Sequence, residues 1–500
     1  MALPQSITQL VAAHVQDRKR LEHSGALPQL SVSRTASAMA KFYEMVRNSL
    51  EYEEDHLLRK RAIRRVLMRM GILRREVTEQ LARDVVREMI WANYVAGYPI
   101  PETLPQYVQK SLAKYRKLVV TYIHTYGHRP DGDIARFIYS LMAVEVERIL
   151  VPHSAQDMQV NAMYTFLLPM QLFKDAGIEE KNIALQTYIA SHRALLKSDN
   201  DIISYYLFHN ALPHWPNPPA DYYQFAARQL ERIVRDIRSQ LGVYINPKLT
   251  HEVVRQGIPF KIIDLIVRDN PAGAEAVLDD SGALDEKIEA VATDEYRKIK
   301  GKLNGTIIKS IIYLFITKAV FALLVEVPYE HFVLGHINYF TVAVNVIFPP
   351  VMLFMIASTF SIPVRSNTAK LKEMIHTILN PTSVDMSAIR KNYADMGSPF
   401  LRWAFRLFNL LTFFAVFAFI ITGLLLLGFN IVGILVFLMF LTIIMFVALR
   451  LRRTATEIVV VQQSRSVFSP FLDLVSVPLL RIGRGLSDTV AQLNVFIIFF

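Results

Sequence analysis

The chain reads as an all-α protein: a helical cytoplasmic domain, then a four-helix transmembrane bundle, then an amphipathic C-terminal segment. Three observations predict this. Residues 307–449 contain four long apolar runs. Residues 1–306 carry apolar side chains at three- and four-residue spacing between charged ones, the helical period, with no useful strand alternation. Lys and Arg crowd every second connection between the apolar runs.

Five hundred residues exceed one ordinary domain. The predicted divisions are 1–35 (a short helix and a linker, 22–35), 36–306 (the helical domain), 307–449 (the membrane domain) and 450–500 (an amphipathic segment on the cytoplasmic side). Proline and glycine clusters such as "GYPIPETLP", "GHRPDGD" and "LPHWPNPPAD" punctuate the first part. Helices are expected near 36–70, 75–95, 104–126, 132–150, 178–196, 220–241 and 248–268, with a last one near 285–304 running into the first span.

A hydrocarbon layer of roughly 30 Å needs about 20 apolar residues in a helix. The expected spans are 307–325, 340–362, 407–427 and 431–449. The second holds Pro349 and Pro350, where a lost amide donor and a ring clash predict a kink. The third and fourth are separated only by Gly428, Phe429 and Asn430, a tight reversal. Arg297, Lys298, Lys300 and Lys302 precede the first span. Arg365, Lys370, Lys372, Arg390, Lys391, Arg402 and Arg406 lie between the second and third, and Arg450, Arg452 and Arg453 follow the fourth. The links 326–339 and 428–430 have no Lys or Arg. This alternation places the N-terminus in the cytoplasm.

The net charge of +11 is explained by those inner loops, and nucleic acid is not expected as a partner. No cysteine is present, which excludes disulfides, thiolate catalysis and Cys-ligated metals. The start lacks a charged region followed by an apolar core, so no signal peptide is read. The run "VFIIFF" at the end leads to the expectation of a cut chain. P-loop, dinucleotide-fingerprint, nucleophile-elbow and kinase patterns do not occur, and no cofactor is expected.

Three features are candidate sites. The helix "EYEEDHLLRKRAIRRVLMRMGILRR" carries eight Lys and Arg from Arg59 to Arg75 with no acid among them. Its bland reading is a solvated helix edge. Its functional reading is contact of Arg59, Lys60, Arg61, Arg64, Arg65 and Arg69 with anionic lipid, each worth about 1 kcal/mol near a charged leaflet. His124 and His128 are four apart, a spacing that puts two imidazoles on one helix face for a metal, though helix-end histidines favoured by the dipole are the simpler account.

Lys318 sits inside the first apolar run. At 11 residues past Ile307 it lies about 17 Å from the inner end, leaving about 11 Å to an outer boundary at Val325. The leading account is a stem reaching outward towards Glu326 or Glu330. Two others remain open: burial between helices on Asn345 or on a carbonyl freed by Pro349–Pro350, and a working cation in a transport path.

The segments "EYEEDHLLRKRAIRRVLMR", "YIASHRALLKSDNDIISYYL" and "YYQFAARQLERIVRDI" resemble multi-pass membrane proteins of small-genome candidate-phyla bacteria, a family without an established activity. The resemblance covers the soluble half and implies a bacterial inner membrane. It transfers no site residue, and the family's continuation beyond this length agrees with a cut chain. The expected role is interaction or scaffolding: a cytoplasmic domain that binds a protein partner, on a bundle that sits in lipid and can form a homo-oligomer. The alternatives are a channel or transporter component using Lys318 and the proline pair, and, last, a metal-dependent membrane enzyme.

Overall fold

The computed structural model describes residues 3–30, 54–174, 178–358, 363–381, 399–455 and 457–461. Among the described residues the regular elements are helices, with one isolated bridge between Gln29 and Pro101. The chain divides into two compact units, Met1–Lys287 with Glu373–Ala394, and Ile288–Lys372 with Asp395–Phe500.

The first unit contains α1 (Gln5–Ala26), α2 (Asp55–Arg69), α3 (Glu79–Trp91), α4 (Leu104–Tyr126), α5 (Gly132–Leu150), α6 (Ser154–Leu167), α7 (Glu180–Leu195), α8 (Asn200–Ala211), α9 (Tyr222–Leu241), α10 (Pro247–Asp269) and α11 (Ala274–Asp279). Helix α4 stops at Gly127, whose φ of 74° is a left-handed C-terminal turn open to glycine. Helix α5 starts where the Asp131 carboxylate accepts the amides of Asp133 and Ile134 at 2.9 and 2.7 Å. From Phe137 to Leu150 it is mostly buried, with Ser140 to Val144 an unbroken buried run that covers every face. A helix stretch buried all round must sit inside, and α2, α4 and α8 pack against it. Trp215 is fully buried beside this core, edge-on to Tyr115, Phe208 and Tyr223 at centroid distances of 5.3, 5.4 and 6.0 Å. Each such ring pair adds about 1 kcal/mol beyond area burial. Helix α1 packs on α6, and α10 on α7.

The sequence-derived boundaries agree closely for α4 and α5 and less well elsewhere. Helix α1 runs to Ala26, so part of the expected linker 22–35 is helix, and Leu30 is then pinned by its amide to the Ile100 carbonyl at 2.9 Å. Residues 36–53 of the expected helix 36–70 are outside the described residues. Helices α6, α8 and α11 were not anticipated. Helix α8 is rich in Ile, Tyr and Phe, which are middling helix formers, and draws on the Asp199 carboxylate, which accepts the Ile202 amide at 3.1 Å.

Helix α12 (Ser281–Phe321), which belongs to the second unit from Ile288 onward, continues through a π-helical segment Ala322–Glu326, a turn Val327–Tyr329 and a second π-helical segment Glu330–Leu334. It stops at Gly335, φ 74°. Then come α13 (Tyr339–Ser358), α14 (Val364–Leu379), α15 (Pro399–Leu426) and α16 (Ile431–Ala455). Among the described residues three helical stretches are long and apolar enough to cross a membrane, Ser281–Leu334, Tyr339–Ser358 and Ile431–Arg452, and Leu410–Leu426 is a shorter apolar stretch of α15. The first runs well past Val325. The expected link 326–339 shrinks to a few residues around Gly335, because the helix continues through Pro328 with π-helical widening on either side of Val327–Tyr329. Helix α13 continues through Pro349 and Pro350 as one element, with both prolines buried, and packs on α16. Residues 359–362 of the expected second span and 462–500 of the amphipathic segment lie outside the described residues. Asn367, on α14, is fully buried and saturated: Nδ2 donates to the Tyr296 hydroxyl (2.8 Å) and the Ile458 carbonyl (2.9 Å), and Oδ1 accepts the amides of Val460 and Val461 at 2.7 and 3.3 Å.

Burial of His192 predicts that the core of the first unit responds to acid. The His192 ring lies between Tyr206 and Tyr188, at 4.5 and 4.7 Å, and burial pushes its basicity down to about 4. A histidine with a lowered folded value contributes fully above its unfolded value of 6.5 and loses its contribution as pH falls towards 4. Hydrogen exchange of α7 should therefore accelerate over that window, by up to about 3 kcal/mol of opening free energy. In His192→Phe the pH dependence of the same peptides should flatten by about one proton.

Candidate functional site

The basic helix α2 is directed inward. The Arg59 guanidinium, 6% exposed, donates Nε to Glu147 Oε1 at 2.8 Å. The other oxygen of Glu147 meets His153 Nε2 at 2.5 Å. Burial pushes the Glu147 carboxyl up, but His153 and Arg59 outweigh it and hold the group below its usual range. Lys60, 1% exposed, is ion-paired with Asp199 and, at 3.0 Å, with Asp201, which also takes Arg64 at 2.9 Å. Arg65 lies 3.5 Å from the Tyr94 hydroxyl, Arg61 is half-buried, and Arg69 is exposed and paired with Glu88. The lipid reading is thus corrected for Arg59 and Lys60: both are enclosed, and their counter-ions are carboxylates of α5 and of the α7–α8 turn. Two further, partly buried pairs are Lys114 with Glu145 at 2.6 Å, and Arg148 bidentate on Asp157 at 3.0 and 2.5 Å, with the Tyr206 hydroxyl also on Asp157.

The two histidines do not share a helix face. His124 is exposed in the last turn of α4, whereas His128 lies beyond Gly127, outside the helix, with Nδ1 2.9 Å from the Arg129 carbonyl. Among the described residues no three His, Cys, Asp or Glu side chains are placed to hold a metal.

Lys318 is the center of a different arrangement. It is 0% exposed, so it does not reach for the surface, which corrects the leading sequence-based account. Its ammonium donates to Glu326 Oε1 at 2.6 Å and lies 4.7 Å from the Phe440 ring centroid on α16. Glu326 Oε2 accepts Asn345 Nδ2 from α13 at 2.8 Å, and the same Nδ2 lies 3.4 Å from the Gly433 carbonyl of α16. Asn345 Oδ1 is buried with no hydrogen-bond partner. Proline at 349 removes the amide that would otherwise bond the Asn345 main-chain carbonyl, so the backbone loosens beside this side chain.

One turn further along, Glu330, 4% exposed, accepts Asn430 Nδ2 at 2.7 Å and the Asn338 amide at 2.8 Å. Asn338 and Asn430 in turn cap α13 and α16 through Thr341 N and Gly433 N. The Glu330 carboxylate therefore lies against two helix N-termini, whose partial positive charge favors it. The sequence named Glu326, Glu330 and Asn345 as destinations for Lys318; the structure pairs it with Glu326, and Glu330 instead meets Asn338 and Asn430, which the sequence reading missed. The signal was present: Glu326 and Glu330 are four apart, one face of a helix, and each Asn precedes an apolar run by one residue.

No family model matches the chain, and no curated protein or solved structure is similar to it.

A buried pair is worth little as a pair, but half of one is costly. Glu326→Gln should lower the unfolding free energy of the detergent-solubilised chain by about 3–5 kcal/mol, by leaving the ammonium unanswered. Lys318→Met with Glu326→Gln should recover most of that loss. Additive losses in the double variant, measured by denaturant titration, would show that the two groups do not act as a pair.

Proposed function

We propose that the chain is a multi-pass protein of the bacterial inner membrane, crossing four times, whose first unit is a cytoplasmic interaction or scaffolding module. The observation that carries the membrane half is the contrast between the two sides of the apolar helices. Ile312, Phe315, Ile316, Leu323 and Leu324 of the first helix and Phe354 and Met355 of α13 are exposed, while Lys318, Glu326 and Glu330 are buried. That is the inverse of a protein in water and suits a hydrocarbon solvent. Exposed Phe332, Tyr339 and Phe340 at one end and Trp403 near the start of α15 suit aromatic belts. The Lys and Arg alternation sets the orientation, with Leu410–Leu426 within the remaining span. The resemblance of the three soluble segments supports the bacterial setting.

The interaction half rests on how the first unit uses its charges. Arg59, Lys60, Lys114 and Arg148 are spent on internal carboxylates, so surface contact is what the unit offers. Exposed Tyr244 and Phe225 are the large side chains best placed to report it. A second reading, a channel or transporter component, is favored by the buried Lys318–Glu326 pair and the adjoining proline pair.

With no native cysteine, single cysteines can be read without background. A cysteine at His336 should react with an impermeant maleimide in intact cells, and cysteines at Asp279 and Glu457 only after permeabilisation. The reverse pattern would refute the orientation. A photo-crosslinking residue at Tyr244 or Phe225 should yield a discrete protein adduct in native membranes; a smear at both positions would count against scaffolding.

A further inference from the structure

We propose that Lys302 and Lys309 hold the phosphodiester of an acidic glycerophospholipid at the inner end of the first span, over the open backbone at Gly305. The proposal rests on the membrane-spanning reading above and deepens it by naming a lipid class and its site. It starts from which cations are left uncommitted. Helix α2 spends Arg59 and Lys60 on internal carboxylates. Around the start of the first span, Lys298 is held by Asp294 at 2.7 Å and by Glu295 at 2.8 Å, and Lys372 by Glu289 at 3.0 Å. Beyond these pairs the acids run out: no Asp or Glu occurs from 296 to 325 or from 331 to 372. Arg297, Lys300, Lys302 and Lys309 of α12 and Arg365 of α14 are exposed there. Among the described residues, Lys302 and Lys309 have no ion-pair partner. The charge left over is positive, and its complement is an anionic leaflet.

The two lysines also have the geometry of a site. They are seven residues apart, about two turns and about 10.5 Å along the helix, so they share a face. That face continues through Tyr313, Ile316 and Val320, all exposed. One stripe thus carries two ammonium groups, then an aromatic ring, then aliphatic side chains, which is the order of a charged headgroup and an acyl chain. Between the lysines lies Gly305, where a Cβ would meet nothing within 4 Å, so the stripe has an open notch at that level. Side chains on a helix lean toward its N-terminus, so Lys309 leans out of the apolar run and back over the notch, with Lys302 at its cytoplasmic edge. A phosphate in the notch meets both ammonium groups. A choline headgroup brings its own cation beside the phosphate, so the pair discriminates against it and favors a lipid with net negative charge.

The test reconstitutes the full chain in vesicles of equal parts phosphatidylglycerol and phosphatidylcholine, extracts it in mild detergent, and counts the retained lipids by native mass spectrometry. Phosphatidylglycerol should be retained in excess. Lys302→Gln and Lys309→Gln should each lower the ratio of the two lipids about fivefold, and the double variant about thirtyfold. Lys298→Gln removes a charge already held by two carboxylates and should leave the ratio unchanged. Gly305→Leu fills the notch at constant charge and should lower the ratio as well. Equal retention of both lipids overturns the proposal, as does a ratio that Lys298→Gln lowers as far as Lys302→Gln, or one that Gly305→Leu does not move. Failure of the membrane reading looks different: on vesicle flotation the chain would stay in the aqueous layer and carry neither lipid, which sinks both readings.

Discussion

An ammonium in the middle of an apolar helix survives only if something equally buried answers it, because each unpaired ion in a dry interior costs several kcal/mol. Lys318 imposes that condition on the second unit, and much of the unit's arrangement can be read as meeting it. The first helix must continue far enough to bring Glu326 inside, so it cannot end at Val325. Glu326 has a second oxygen to satisfy, which fixes Asn345 and with it the rotation of α13. Asn345 and Phe440 then draw α16 against both. Three helices are held by contacts that begin at one side chain.

The same condition organises the first unit, with a different solution. Helix α5 is buried over most of its length yet carries Glu145, Glu147 and Arg148 within about one turn. Each is answered from another helix: Lys114 from α4, Arg59 from α2, Asp157 from α6. These pairs add little net stability over apolar residues of the same size, but each specifies a neighbor. An apolar all-round helix has no preferred face. Charged groups with single matching partners give it one.

This explains what the sequence revealed and what it withheld. Helices 104–126 and 132–150 were legible to the residue because Gly127, Pro130 and Asp131 are local signals that act on their own backbone. Three apolar helices long enough to cross a membrane were legible because length and composition suffice. The role of the basic helix was not. Between Arg59 and Arg75 there is no acid, and the carboxylates that answer Arg59 and Lys60 are 88 to 141 residues away along the chain. A charge run without local partners reads as a surface, and only tertiary packing reveals otherwise. Helix α6, with polar Gln159 buried among Ala155, Val160 and Met163, hid for the same reason: its face is defined by what covers it.

The register of Lys318 and Glu326 is the subtlest case. Eight residues at about 3.6 per turn make about 2.2 turns, which leaves the two side chains roughly 80° apart around an α-helix. Read with that period, the pair looks misaligned, and a lysine reaching for solvent is the natural inference. The five residues Ala322–Glu326 are π-helical, with wider turns of roughly 4.4 residues implied by the i to i+5 bonding. One α turn and one π turn together consume about eight residues, so the carboxylate returns to the face of the ammonium. The same widening lets the helix pass Pro328 without a clash one turn back, and thereby reach Glu330. A single local change of helical period thus accounts for the ion pair, the extended span and the second buried carboxylate. It could not have been found from apolar spacing alone, because four of the five residues that form it, Ala322 to Val325, are themselves apolar.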